Sequence, residues 1–429
     1  MQPRAGRSSR MRQSLAQRGS RAAASATDNL RKHRPDYWLV MISVALLAIG
    51  LVVVYAISPA LTQSMHAPGS YYVTRQLLAI GLSIVAFLVT ARLPLSAWRR
   101  FSTLLLAAAV LATLLAIAMP VNPNYPAHRW VRLGSLSFQS VELLKFAILV
   151  WLAGFLADRI SDGTVTNFNK MVKPLGICLG LVGLFVAGVQ SDLGSTGVML
   201  VMLVAMVFVA GMPLKRVVLI GGVILVLAAM FTLSTPYRRE RLDTFLHPTA
   251  NCQDSGYQAC QALIAVGSGG VAGLGLGSSV QAYGYLPEAA NDSIFAIYAE
   301  KFGFIGCIIL LVIFGALFAR ITGVAERAPD NFSRLLAVGI VSWLGVQSMV
   351  NMGAMIGLLP LKGITLPFIS YGGTSVVFVA AAIGIVFQIS HYTSARLPVN
   401  NDRSGYDDSR NGRRIGRSYN PDLSGRARA

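Results

Sequence analysis

The stretch Tyr285–Phe302, YLPEAANDSIFAIYAEKF, brings three carboxylates, Glu288, Asp292 and Glu300, to the place where a loop enters an apolar run. An ionised carboxylate in hydrocarbon costs on the order of 2.5–3.5 kcal/mol on insertion scales unless it faces protein or a wet cavity. Asp292 falls at the mouth of the helix expected from Ser293 onward, where lipid, water and protein are all within reach. A carboxylate so placed suits a working acid or base at a membrane surface. Glu300 follows eight residues later, about 12 Å along a helix and turned by roughly 80°, so the two do not easily touch one atom. Its expected place is a deeper polar cavity, or a pairing with Lys301 or Lys145.

Cations stand where such a carboxylate would need them. Arg129 and Arg132 lie in VNPNYPAHRWVRLGSLSFQS, Arg238 and Arg239 in TPYRRERLDTFLHP, and Lys362 in the loop 360–373. Clustered cations at the outer leaflet suit a phosphate-bearing lipid headgroup. The competing reading is local pairing, for example of Arg238 with Glu240 or Asp243. The five His are scattered and no metal-ligand spacing is present, so no zinc site is expected. No cofactor is obligatory; a divalent cation, Mg or Mn, is admissible.

The elements that position these groups follow from composition. Of 429 residues, 54% are hydrophobic and 13% charged. Apolar runs of roughly 15–25 residues recur about ten times, each enough to span or nearly span a bilayer. They centre on 38–57, 74–91, 101–119, 141–157, 174–190, 195–211, 217–233, 293–319, 335–359 and 374–392. Backbone groups in lipid must pair within their own segment, so the runs are helices. The expected fold is all-α: a polytopic integral membrane protein with about ten transmembrane helices and a long extracytoplasmic loop before the eighth. The first run follows a basic segment without a small-residue cleavage site and reads as a retained span.

The net charge of +19 raises nucleic acid as a partner, but its distribution argues against it. Roughly half of the Lys and Arg lie before Tyr37 or after His391, and basic flanks orient spans with those flanks in the cytoplasm. Residues 1–36 and 395–429 read as basic, disordered cytoplasmic tails around a membrane domain at 37–394. The three outside loops that carry cations break the charge rule, and those exceptions mark them as functional.

Smaller signals remain. Glu142 and Lys145, at i and i+3, share a helix face and can neutralise each other or meet substrate. Asp192 in QSDLG is placed to cap the following helix. The run VGSGGVAGLGLGSS at 266–279 precedes no Walker lysine, which argues against a nucleotide loop. It is open to two readings: a re-entrant loop whose backbone approaches a sugar or phosphate, or a structural run of turns. In FISYGGTS, Gly372 and Gly373 permit a turn, and Ser370, Tyr371 and Ser375 can line a headgroup cavity. Cys252 and Cys260 are close enough to close a small ring in an oxidising compartment, and the bridged and reduced forms both stay open.

Several long motifs now stand in order: HRWVRLG with Glu142 and Lys145, QSDLGSTG, YRRERLDTFLHP, YQACQALIAVGSGGVAGLGLGSS, YLPEAANDSIFAIYAEKFGFIG and LPLKGITLPFISYGGTS. In these the chain resembles the SEDS family, which includes FtsW, RodA and SpoVE. GLGLGSSVQ looks more like FtsW or SpoVE than RodA. The likeness covers all the spans and leaves out only the tails. It implies a peptidoglycan glycosyltransferase that polymerises lipid II at the outer face of the cytoplasmic (inner) membrane, for septal wall synthesis in cell division. The implied partners are a class B penicillin-binding protein and other membrane proteins of the division complex. The family's essential aspartate corresponds to Asp292. A carboxylate beside the attacking sugar hydroxyl can take its proton, worth roughly 10²–10⁴ in rate, and cations can stabilise the departing diphosphate.

The chain departs from the family pattern where Ala282 replaces a lysine, Ala290-Asn291 a His-Thr, Ser140-Val141 a Pro-Ser, and Pro126 a glycine. These changes bear on how phosphate is held more than on the reaction. The alternative function is a lipid II flippase, which would need polar residues along a path to the cytoplasmic side. A non-catalytic scaffold would leave the carboxylates without a purpose.

Overall fold

In this computed structural model, residues 30–32, 34–63, 68–119, 130–133, 136–181, 186–188, 190, 192–233, 236–247, 252–254 and 256–394 are described. Helix α1 (Tyr37–Gln63) is followed by α2 (Tyr71–Arg92) and, after a short turn, by α3 (Leu95–Ala118). Pro94 caps α3 in an extended conformation, because its ring cannot continue the preceding helix. Then come α4 (Ser140–Ser161), α5 (Phe168–Leu181), α6 (Leu193–Val209) and α7 (Leu214–Leu233). The order closes with α8 (Pro236–Leu246), α9 (Tyr257–Ser268), α10 (Ile294–Glu326), α11 (Asn331–Met355) and α12 (Gly373–Ser390).

Among the described residues, α1, α2, α3, α4, α10, α11 and α12 are long and apolar enough to cross a membrane. The runs expected at 174–190, 195–211 and 217–233 fall on α5, α6 and α7, of 14, 17 and 20 residues. The long loop before α10 is not irregular, as it contains α8 and α9. Two short antiparallel ribbons add to the helices: β2 (Trp130–Leu133) with β3 (Leu136–Gln139), and β1 (Leu30–Lys32) with β4 (Tyr392–Ser394). Residues 30–32, expected in an unstructured tail, thus pair with the chain just after α12. The remainder of both tails lies outside the described residues.

Helices α4, α11 and α12 form the centre: 83%, 61% and 61% of their apolar windows are buried, against 22–33% for α1, α2, α3 and α10. Lipid is as apolar as leucine, so close packing rather than exclusion from water must join these helices. Small residues make it possible. A Cβ at Gly339 of α11 would collide with Leu149 of α4, and one at Gly384 of α12 with Thr90 of α2. At the ends, Asp192 and Asp330 cap α6 and α11 by accepting from Ser195 N (3.0 Å) and Ser333 N (2.7 Å).

Helix α10 is interrupted at Gly303 (φ 65°, ψ −166°). An interruption frees backbone groups that must find partners, and the glycine-rich run supplies them. Leu274 N donates to Glu300 O (2.9 Å) and Gly275 N to Lys301 O (3.0 Å); Phe304 N donates to Gly270 O (2.9 Å) and Ile305 N to Val271 O (3.1 Å). Gly273 and Gly303 both have positive φ and pack backbone to backbone, with no room for a Cβ on either. The 266–279 run therefore approaches the main chain of α10, which is the structural one of its two readings.

Candidate active site

A cavity of about 1080 Å³ opens between α2, the β2–β3 ribbon, the start of α6, the turn before α10 and the loop 361–375. Its wall includes Glu288, Asp292, Lys362, Tyr371 and Ser375 from the expected set. It also includes residues that were not anticipated, namely Arg75, Asp192, Gln258, Asn291, Thr365 and Thr374. One flank is apolar, with Leu78, Leu82, Val377 and Phe378.

Asp292 is held from behind. The carbonyls of three consecutive residues each accept a hydrogen bond from elsewhere in the fold. Tyr371 N donates to Ala290 O (2.8 Å), Ser370 Oγ to Asn291 O (2.7 Å) and Asn351 Nδ2 to Asp292 O (2.7 Å). Upstream, Glu288 takes a left-handed φ of 50°, and its carbonyl accepts from Asn291 N and Ser293 N. That turn swings the chain into α10. Ser293 Oγ donates to Pro287 O (2.8 Å) and accepts from Gln258 Nε2 of α9 (3.0 Å). The main chain of half-buried Asp292 is thus fixed on the cavity wall.

Lys362 reaches the wall on the loop between α11 and α12. That loop packs on the start of α6, where a Cβ at Gly194 would strike Ile364. Asp192 therefore caps α6 and also lines the cavity. The second cation, Arg75, stands over the Tyr71 ring (4.6 Å). Burial pushes the Tyr371 phenol above its usual pKa, and the positive charge of the adjoining Arg75 opposes that shift. Thr365 Oγ1 and Ser375 Oγ lie 3.1 Å apart on the wall.

Other expected site residues are placed away from this wall. Glu300 is fully buried and accepts from Ser279 Oγ, Val280 N (2.9 Å) and Gln281 N (3.2 Å). It makes no ion pair among the described residues, and the neighbouring Lys301 donates instead to Leu276 O (2.6 Å). Glu142 and Lys145 form a buried ion pair (2.8 Å), with Lys145 also donating to Gln347 Oε1 (3.0 Å). Gln347 Nε2 in turn donates to Thr365 O (2.9 Å) and Thr365 Oγ1 (3.3 Å), so the pair reaches the cavity through Gln347 and the lining residue Thr365. Ser370 is buried and serves the backbone, accepting from Leu366 N as well as donating to Asn291 O. Arg239 is exposed on α8, Arg132 and Arg238 are described in backbone only, and Arg129 lies outside the described residues. Cys252 and Cys260 are joined in a disulfide.

Arg75 had a signal of its own. It is a permanent cation one residue inside the apolar run 74–91, and an intramembrane charge is a functional candidate by default. Among the described residues no group of three or more His, Cys, Asp or Glu gathers to hold a metal ion.

Comparison with known proteins agrees over most of the chain. The FtsW/RodA/SpoVE family model, described as "Cell cycle protein", matches residues 37–395. Stage V sporulation protein E of Bacillus subtilis is 36% identical over 365 residues, covering 85% of this chain and 99% of that protein. "Probable peptidoglycan glycosyltransferase FtsW" of Coxiella burnetii is 37% identical over 369 residues, covering 83% and 96%. Among solved structures, a chain of a peptidoglycan synthase complex that coordinates polymerization and crosslinking superposes with TM-score 0.67 at 28% identity, covering 83% and 97%. The rod shape determining protein RodA of Thermus thermophilus gives TM-score 0.61 at 26% identity, covering 83% and 96%. With its helical architecture, its cavity and these matches in accord, the chain belongs to the FtsW/RodA/SpoVE family of multi-pass membrane proteins.

Proposed function

We propose that this protein is a peptidoglycan glycosyltransferase that polymerises lipid II into glycan strands, with Asp292 as the general base. One observation carries the reading. Asp292, held through its backbone, shares a cavity with two cations, Lys362 and Arg75, and with an apolar flank formed by Leu78 and Leu82. That combination matches a substrate made of sugar, diphosphate and lipid chain. In the reaction the acceptor sugar hydroxyl attacks the anomeric carbon, and its proton passes to Asp292. The bond from that carbon to the lipid diphosphate breaks, and the diphosphate leaves with the electron pair. Lys362 and Arg75 balance the negative charge that develops on it. Tyr371 adjoins Arg75 on the wall, and Ser375 and Thr365 offer hydroxyls to the headgroup.

The buried Glu142–Lys145–Gln347 network favours the alternative, a flippase, because it continues polar character away from the cavity. Each link in it is a direct protein contact rather than a wall of an open path, and the enzyme reading is preferred. The purified chain, with and without a class B penicillin-binding protein, is incubated with fluorescent lipid II. Glycan ladders are expected, and headgroup translocation without polymer would support the flippase instead.

The reading places the cavity at the outer face of the cytoplasmic membrane, both termini inside, and the enzyme at the septum with its transpeptidase partner. A cysteine at exposed Ser137 on the cavity rim should react with an impermeant thiol reagent in whole cells. Cysteines at Ser20 and Ser418 should not, and their labelling from outside would reverse the orientation.

A further inference from the structure

We infer that Asn351 is a positioning residue that sets the spacing between the proposed base and the proposed diphosphate cation; the inference rests on the glycosyltransferase reading. Asn351 lies on α11 and is buried (1% exposed). Its amide nitrogen carries two N–H groups and donates to two carbonyls, Asp292 O (2.7 Å) and Ile364 O (2.7 Å). These belong to different segments: the turn that enters α10 and the loop between α11 and α12. The second segment carries Lys362, tied to Ile364 by the bond from Ile364 N to Lys362 O (2.7 Å).

The amide has one workable orientation. Turning it over would set Oδ1 against two carbonyl oxygens, three acceptors with no proton between them. Oδ1 makes no hydrogen bond among the described residues, so the donor end alone accounts for the grip. One side chain thus holds both halves of the site from a helix that is itself in the central layer. A misplacement of about 1 Å can cost on the order of 10² in rate, which makes this grip a kinetic device as well as a structural one.

A neighbouring residue supplies the control. Ser348, also buried on α11, donates to Leu344 O of its own helix (2.8 Å), so its loss removes a buried hydrogen bond without touching either segment. Asn351→Leu keeps the branch at Cγ and the number of side-chain heavy atoms, and removes both donors. The full chain is purified with its transpeptidase partner, and kcat, KM for lipid II and the folded fraction by size exclusion are measured.

For Asn351→Leu, kcat per folded molecule is expected to fall at least about 10-fold, with KM within about 3-fold of wild type. Ser348→Ala should keep kcat within about 2-fold. Three results would overturn the inference: an Asn351→Leu kcat within about 2-fold of wild type, a loss matched by loss of folded protein, or an equal loss in Ser348→Ala. Asp292→Asn, run alongside, separates the two claims. If it keeps the wild-type rate, the catalytic reading fails and the inference with it. If it loses the rate while Asn351→Leu keeps it, only the inference fails.

Discussion

Asp292 and Glu300 stand eight residues apart at the two ends of one buried helical segment, and the fold uses them in opposite ways. At Glu300 the protein's donors reach the carboxylate: a hydroxyl at the end of the glycine-rich run and two backbone N–H groups just after it converge on its oxygens. At Asp292 the donor from α11 reaches the main-chain carbonyl, and the residue stands half-buried on the cavity wall. On the proposed reading, what separates a reactive carboxylate from a fastener is access to the cavity: Asp292 stands on its wall, and Glu300 is fully buried and no part of it.

The comparison breaks most severely at the glycine-rich run. Gly273→Val would drive a branched side chain at positive φ into the carbonyl of Lys301, and both the clash and the backbone conformation forbid it. The expected outcome is loss of folded protein, checked by the monodisperse yield in detergent. A well-folded variant with normal yield would mean that the run does not bridge the break in α10.

Next in size is the cationic side of the cavity. Lys362→Met and Arg75→Gln should each lower kcat by about 10- to 100-fold. That is less than a dedicated oxyanion donor costs, because the two cations share the charge. Steady-state turnover of lipid II measures this, and an unchanged kcat in both variants would remove the diphosphate from this wall. The smallest effect on rate belongs to Glu300→Gln, which trades charge-assisted hydrogen bonds for neutral ones. It should destabilise the fold by about 1–3 kcal/mol and leave the rate per folded molecule within about 3-fold of wild type. Thermal unfolding alongside turnover checks both halves of that statement, and a rate loss as large as that expected at Asp292 would give Glu300 a catalytic part.

Much of this contrast was legible before any fold was known, and the rest was not for identifiable reasons. Spans announce themselves because lipid demands long apolar helices, so α1 to α4 and α10 to α12 fall where hydropathy puts them. Asp292 was legible because a charge at a helix mouth is costly unless used. The i, i+3 spacing predicts the Glu142–Lys145 pair, but its third partner, Gln347, comes from 202 residues away and no local pattern reveals it. Helix α8, PYRRERLDTFL, is too polar to read as anything but loop. The break at Gly303 was hidden because AEKFGFIG continues an apolar run. Only a second segment able to take up the freed backbone groups makes an interruption tolerable there. Arg75 was overlooked because a cation near the end of a span reads equally well as a topology flank.

The central claim is that the Asp292 side chain takes the acceptor's proton. Its most direct test is the rate of glycan polymerisation by purified Asp292→Asn with its transpeptidase partner and saturating fluorescent lipid II, per folded molecule. Asparagine keeps the shape and polarity of the side chain, and the main-chain contacts that hold the turn are untouched. The account predicts a fall of at least about 10² with unchanged folding and partner binding. Glycan synthesis at close to the wild-type rate would contradict it.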